Sequence, residues 1–331
     1  LCGSLAAVAS AQAGELSVTG GATASWSSNS GKETGNPIGM NSGITFKGSG
    51  ELDNGTTFTL TITGADQMGY SSGSIAMVTP SMGTIKIVQS AGGAGIDRFD
   101  DMMPTAWEET NGTSLTTGLT TVAGVGTTQN VEWALPADML PDGMNAYLAV
   151  TPRAGAGVTN DKAASGDTGT SGGGYDIALS HNALVDGLNV FAGRSVIEQA
   201  LNVGAGSSGD RTQYVYGATY AMGGFTIGYQ ESRDNLQNDA VGAVNSYYSN
   251  QAFGVSFNVN DNLSLSYGNH KSKNALNSGL AVELEAESLQ LAYTLGGMSV
   301  KIAESTVDNA SYTSGTGNDK DGTTIALSLA F

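Results

Sequence analysis

The feature that most constrains this chain is a two-residue alternation, interrupted at intervals that are themselves alternately short and long. Residues 56–64 read TTFTLTITG, with Phe58, Leu60 and Ile62 on one side and Thr57, Thr59 and Thr61 on the other. The same period recurs near 15–27, 40–52, 73–79, 84–90, 128–135, 144–153, 174–183 and 188–197. It continues near 211–221, 225–232, 249–259, 263–270, 281–295, 298–304 and 322–331, for sixteen stretches in all. Successive side chains of a strand point to opposite faces, so each stretch is a strand with one apolar and one polar face. Connections centred on Asn54, Ser81, Asp142, Asp186, Gly223, Asp261 and Gly296 are short. Those near 28–39, 65–72, 90–127, 154–173, 198–210, 233–248, 271–280 and 305–321 are long and polar. Seven short connections alternating with eight long ones exclude Greek-key crossings and require an up-and-down barrel.

Periodicity does not say which face is inside, but size does. Sixteen strands enclose a lumen too wide for side chains to fill, so the polar face lines water and the apolar face meets lipid or protein. The expected fold is all-β, a transmembrane up-and-down antiparallel β-barrel of the outer-membrane pattern. Composition closes the other routes. Only 13% of residues are charged and 48 of 331 are Gly, with no helical period and no run near the roughly 18 apolar residues of a membrane helix. One Cys and two His exclude a disulfide framework and a four-ligand zinc module. A formal charge of −17 without a basic cluster excludes a nucleic-acid partner. The 40% hydrophobic content argues against disorder.

Residues 1–13, LCGSLAAVASAQA, are uncharged and end in Ala11-Gln12-Ala13, an A-x-A pattern. They are expected to be the remnant of a cleavable export signal. The barrel domain then occupies 14–331, without Cys2, outside the cytoplasm.

The N-terminal ELSVTGGATASW, the hairpin GITFKGSGELDNGTTFTLTI, the long connection after the fifth strand and the ending TTIALSLAF together resemble the general porins of Gram-negative outer membranes, most closely those of alphaproteobacterial type. The resemblance covers Glu15 to Phe331. It implies a homotrimer of water-filled channels for passive diffusion of small hydrophilic solutes and ions, in contact with outer-membrane lipids after export through the periplasm, without a cofactor. It also implies that Ile325, Leu327, Leu329 and the terminal Phe331, which share one face, carry the signal read by the barrel-assembly machinery.

The segment 90–127 is too long to lack a task. It opens with small residues from Ser90 to Gly95 and continues IDRFDDMMPTAWEE. Asp97, Asp100, Asp101, Glu108 and Glu109 stand there against the single base Arg98, beside the anchors Phe99, Met102, Met103, Pro104 and Trp107. In the porins it resembles, this loop folds into the lumen and its acids face bases across the opening. Lys47, Lys86 and Lys301, all of lumen parity, are the expected wall side. The excess of acid predicts a cation-preferring pore. Trimer contacts are expected on strands one to five with fifteen and sixteen, where Gly20, Ala22 and Ala24 are small and aromatics are few.

No enzymatic reading competes. His181 and His270, each read at a strand end, lack a G-x-S-x-G or H-E-x-x-H context. Asn318 to Gly322 resembles a calcium loop only loosely and lacks its terminal Glu. A secreted β-solenoid adhesin would need a short fixed repeat that is missing. A dedicated substrate channel on the same barrel is the remaining alternative.

Overall fold

A computed structural model describes residues 14–30, 35–66, 68–89, 91–112, 115–154, 171–199, 208–238, 240 and 244–331. The expected export signal in 1–13 and the loop's first residue, Ser90, lie outside these. Sixteen strands run in chain order among the described residues. They are β1 Glu15–Asn29, β2 Ile38–Glu51, β3 Thr57–Ala65, β4 Gly69–Thr79, β5 Gly83–Gln89, β6 Asn130–Ala134, β7 Met144–Thr151 and β8 Ser171–His181. They continue as β9 Leu188–Gln199, β10 Arg211–Met222, β11 Phe225–Asn235, β12 Asn245–Asn258, β13 Leu263–Leu276, β14 Ala281–Leu295, β15 Met298–Asp308 and β16 Lys320–Ala330. Each pairs antiparallel with its chain neighbours, and β1 closes on β16 to complete the barrel.

Closure is tight. Ala22, Ala24 and Trp26 stand opposite Leu329, Leu327 and Ile325, and Gly20 exchanges both backbone hydrogen bonds with Phe331 at 3.1 and 2.9 Å. The short turns hold because six of them place glycine at positive φ (Gly55, Gly83, Gly143, Gly187, Gly223 and Gly296, at 60–78°), a region that costs other residues strain. The seventh uses Asn260, whose side chain accepts the N–H groups of Asn262 and Leu263.

Several strands outrun the hydropathy pattern at the long-connection end. β4 begins at Gly69, β12 begins at Asn245, β13 runs to Leu276 and β15 to Asp308. Ser, Asn and Lys are common in these extensions, so the apolar alternation fades while the backbone ladder continues. His270 is therefore not at a strand end: it lies within β13, on the inner face, buried.

Alternation sets the two faces. Phe58, Leu60, Ile62, Leu265, Tyr267, Leu327 and Leu329 are exposed on the outside. The inner face is not uniformly polar, as the periodicity suggested. Ala178, Phe191 and Val215 pack inside the barrel against Ile96, Phe99 and Val122 of the β5–β6 connection. Leu284, Ala286 and Val307 pack likewise against Leu115. The apolar core thus lies between the wall and the long connection.

Candidate pore loop and its wall

The β5–β6 connection runs along the inner wall as two legs. The outgoing leg starts with a 3-10 turn, Gly95–Phe99, seated on β8, β9 and β10. The Asp176 carboxylate on β8 accepts the N–H of Ile96 at 3.0 Å and of Val125 at 3.1 Å, so one side chain ties both legs. Gly95 and Gly124 lie so close to this carboxylate that a Cβ at either would collide with it, and both have positive φ. Further along, Met103 and Pro104 pack over Gly228 and Gly254. Ser266 Oγ accepts the N–H of Ala106 at 2.8 Å. Gln290 Oε1 accepts the N–H of Trp107 and Glu108 at 3.1 and 3.0 Å, while its Nε2 donates to the Glu108 carbonyl at 2.8 Å.

The returning leg is held in the same way. The N–H of Ser311 donates to the Thr117 carbonyl at 2.7 Å. Tyr312 Oη accepts from Thr120 at 2.9 Å. Gln213 Oε1 accepts from Ala123 and Gly124 at 2.9 and 2.7 Å. Asp176, Gln213, Ser266 and Gln290 are buried side chains of inward parity, opposite to the outward Ile177, Tyr214, Leu265 and Leu289. Sequence reading missed all four. The signal was present: each is a hydrogen-bonding residue at a lumen position, and three are larger than the Ser and Thr that dominate that face.

The acids expected at the opening separate into two groups. Asp97 is buried, accepts the N–H of Gly93 at 2.6 Å, and has its carboxyl pushed up, mainly by burial. Arg98 is a strut. It forms an ion pair with Glu132 of β6, donates to the Gly95 carbonyl at 3.0 Å and lies 3.5 Å above the Tyr147 ring. It therefore does not stand among the acids as a lone counter-charge, because Glu132, unseen in the sequence reading, takes it up. Asp100, Asp101 and Glu109 come together in a cleft against Ala252 and His270. Burial, and next the charge of Asp101, pushes Asp100 up to about 8 and Glu109 up to about 7. Asp101 is exposed, and Glu108 is half-buried beside them in the chain.

The three lysines are also placed differently from one another. Lys301 Nζ stands 5.7 Å from the centre of the Trp107 ring, meeting the loop directly. Lys86 is in register with Glu132, the partner of Arg98. Lys47 is exposed on the inner face of β2, between Ser17 and Thr61, on strands that the loop's anchors do not use. Ile325, Leu327 and Leu329 alternate outward on β16, and Phe331 is 79% exposed beside them.

No protein-family model matches the sequence, and no curated protein sequence matches it. Solved structures do. OmpF of Salmonella typhi, in complex with daunomycin, is 13% identical, with a TM-score of 0.69 over 96% of this chain and 98% of its own. The trimer form of OmpT, an outer membrane protein of Vibrio cholerae folded in vitro, is 14% identical, with a TM-score of 0.67 over 97% and 100%. The anion-selective porin from Comamonas acidovorans is 12% identical, with a TM-score of 0.63 over 96% and 100%. At these identities the likeness is one of architecture: the chain has the sixteen-strand barrel fold of the outer-membrane porins.

Proposed function

We propose that this protein is an outer-membrane channel for passive, non-enzymatic diffusion of small hydrophilic solutes and ions, with a preference for cations. The observation that carries the reading is the loop: a closed barrel holds a strapped, two-legged segment whose acids outnumber the bases near them. Arg98 is taken up by Glu132 and Arg211 by Asp234, while Asp101 remains exposed among Asp100, Glu108 and Glu109. A fixed negative field in a narrow, low-dielectric passage concentrates cations. One solved barrel of this fold is described as anion-selective, so the preference must come from side chains and not from architecture. Lys47 and Lys86 on the facing wall and Lys301 at Trp107 complete the proposed constriction.

A homotrimer is part of the proposal. On β1 the outward positions Leu16, Val18, Gly20, Ala22, Ala24 and Trp26 run without a charge. A groove of about 420 Å³ lined by Gly21, Ala22, Gly43, Gly64, Met68 and Phe331 crosses this wall. Small residues beside exposed apolar ones suit close contact with another copy. The outward Ile325, Leu327, Leu329 and Phe331 are proposed as the assembly signal, and 1–13 as the export signal for passage through the periplasm.

Planar-bilayer recording tests the reading. Stepwise conductance increments, with a reversal potential in a salt gradient of the sign for cations, are expected. A bilayer that stays silent with correctly folded protein would overturn the channel. Ala22→Glu should yield monomers on gels run without heating, and an intact trimer would overturn the proposed contact wall.

A further inference from the structure

The outer wall from β11 to β15 changes character abruptly. From the short-turn end, β11 presents Phe225, Ile227 and Tyr229 outward, then Glu231 and Arg233. β12 presents Phe257, Val255 and Phe253, then Gln251. β13 presents Leu263, Leu265 and Tyr267, then Asn269, Lys271 and Lys273. β14 presents Leu295, Tyr293, Leu291 and Leu289, then Glu287, Glu285 and Glu283. β15 presents Met298, Val300 and Ile302, then Glu304. Three or four apolar positions are followed on each of these five strands by a polar lattice.

The lattice is closed on itself. Glu231 accepts from the hydroxyls of Tyr216 and Tyr229, the latter at 2.6 Å. Glu287 accepts from Tyr267 Oη at 2.6 Å and from Asn269 at 3.0 Å. Asn269 also donates to Glu285 at 2.7 Å, and Lys271 pairs with the same carboxylate at 3.1 Å. Glu304 accepts from Thr323 at 2.7 Å. Along the ladder, Tyr216, Glu231, Gln251, Lys271 and Glu285 are consecutive register partners. The tyrosine rings belong to the apolar side of the boundary and their hydroxyls to the polar side, the arrangement tyrosine takes at a membrane interface. Charges on the lipid face are costly at mid-layer and cheap near the interface, so this row marks where hydrocarbon stops.

The height below that row is small. Three to four outward positions, at about 3.4 Å per residue on strands tilted about 35–45°, cover roughly 15–20 Å along the membrane normal, against the about 25 Å band usual for such barrels. Six outward positions of β1, Leu16 to Trp26, cover roughly 30 Å by the same arithmetic. We propose that the β11–β15 wall is a lipid-contact surface built for a thin hydrocarbon layer, so that acyl chains shorten against it and headgroups descend to the level of Glu231, Gln251 and Glu287. This rests on the membrane-spanning reading above. A belt shorter than the surrounding layer draws the bilayer thinner around it.

Site-directed spin labelling of the full chain, refolded into phosphatidylcholine vesicles with 18-carbon chains, tests this. Labels at Gln251→Cys and Val255→Cys, in a Cys2→Ser background, are probed with oxygen and with a water-soluble nickel chelate. The expected result is several-fold greater nickel access at 251 than at 255, with oxygen favoured at 255. Shielding of 251 to the level of 255 would overturn the thin belt. Nickel access at both positions would overturn the membrane-spanning reading itself, and the proposal with it. A second measurement compares urea midpoints in vesicles with 12-carbon and 18-carbon chains. The midpoint should fall in the thicker layer, and the variant E231L/Q251L/N269L/E287L, which adds an apolar row, should remove that fall. An unmodified protein equally stable in both layers, or a variant that falls as steeply, would overturn it.

Discussion

Asp176 accepts the backbone N–H of Ile96 at 3.0 Å, across 80 residues of chain, and this bond fastens the start of the loop to the eighth strand. Because the same carboxylate also holds Val125, Asp176→Ala should release both legs together. Each buried N–H left unpaired costs about 1–3 kcal/mol, so a loss of about 2–6 kcal/mol is expected for the two. Urea titration followed by tryptophan fluorescence measures it, and single-channel records should become noisy as the loop gains freedom. A quiet channel of unchanged stability would remove Asp176 from this role.

Neutralising Asp100, Asp101, Glu108 and Glu109 together as the corresponding amides should move the reversal potential toward anions and lower the cation-to-anion permeability ratio several-fold. The effect should be largest in dilute salt, where screening is weakest. Equal reversal potentials for the two proteins would place the selective charges elsewhere.

Cation preference should depend on pH. Burial and the neighbouring Asp101 charge push Asp100 from an ordinary 3.8 up to about 8, and Glu109 from 4.5 up to about 7. Both groups are protonated in acid and acquire charge as pH rises through neutrality, so cation selectivity should climb between about pH 6 and about pH 9. The stability sign is opposite. An unfolded chain ionises these groups at their ordinary values, whereas the folded loop keeps their protons until about 7 and 8. Loop stability from these groups is therefore greatest in acid and is withdrawn as pH rises, with the loss complete above about pH 8. Reversal potentials and urea midpoints across this range should run in opposite directions, and a flat selectivity profile would contradict the assignment.

Lys301→Ala should raise cation preference and loosen Trp107, because the ammonium lies near the indole face and supplies positive charge beside the acids. Lys301→Arg should keep both properties. The reversal potential reads the charge, and quenching of Trp107 emission by iodide reads the exposure. An unchanged potential in the alanine variant would remove Lys301 from the constriction.

The strands and their faces were legible because a strand's period is local: Phe58 and Thr59 declare their sides without reference to anything else in the chain. The ends of β12, β13 and β15 were not legible, since backbone pairing continues through Asn245, Lys271 and Thr306 without needing apolar contrast. His270 was misplaced for that reason. The loop's acids were visible as a cluster, but their division was not. Asp97 turns back to Gly93, and Arg98 finds Glu132, 34 residues onward, through a path set by three-dimensional packing. Phe191, Val215 and Leu284 were read against a rule that lumen positions are polar, which holds only where water and not the loop covers the wall.

The wall grips the loop by its backbone. Asp176, Gln213, Ser266 and Gln290 all bind peptide N–H groups, which every residue but proline carries. The side chains at Asp100, Asp101, Glu108 and Glu109 take no part in those bonds. On the proposed reading, substitution there changes the charge at the aperture while the backbone bonds that fasten the segment keep their partners, so selectivity and fastening can evolve on separate schedules. A lineage could exchange acids for bases at these positions and reverse its ionic diet on an inherited frame.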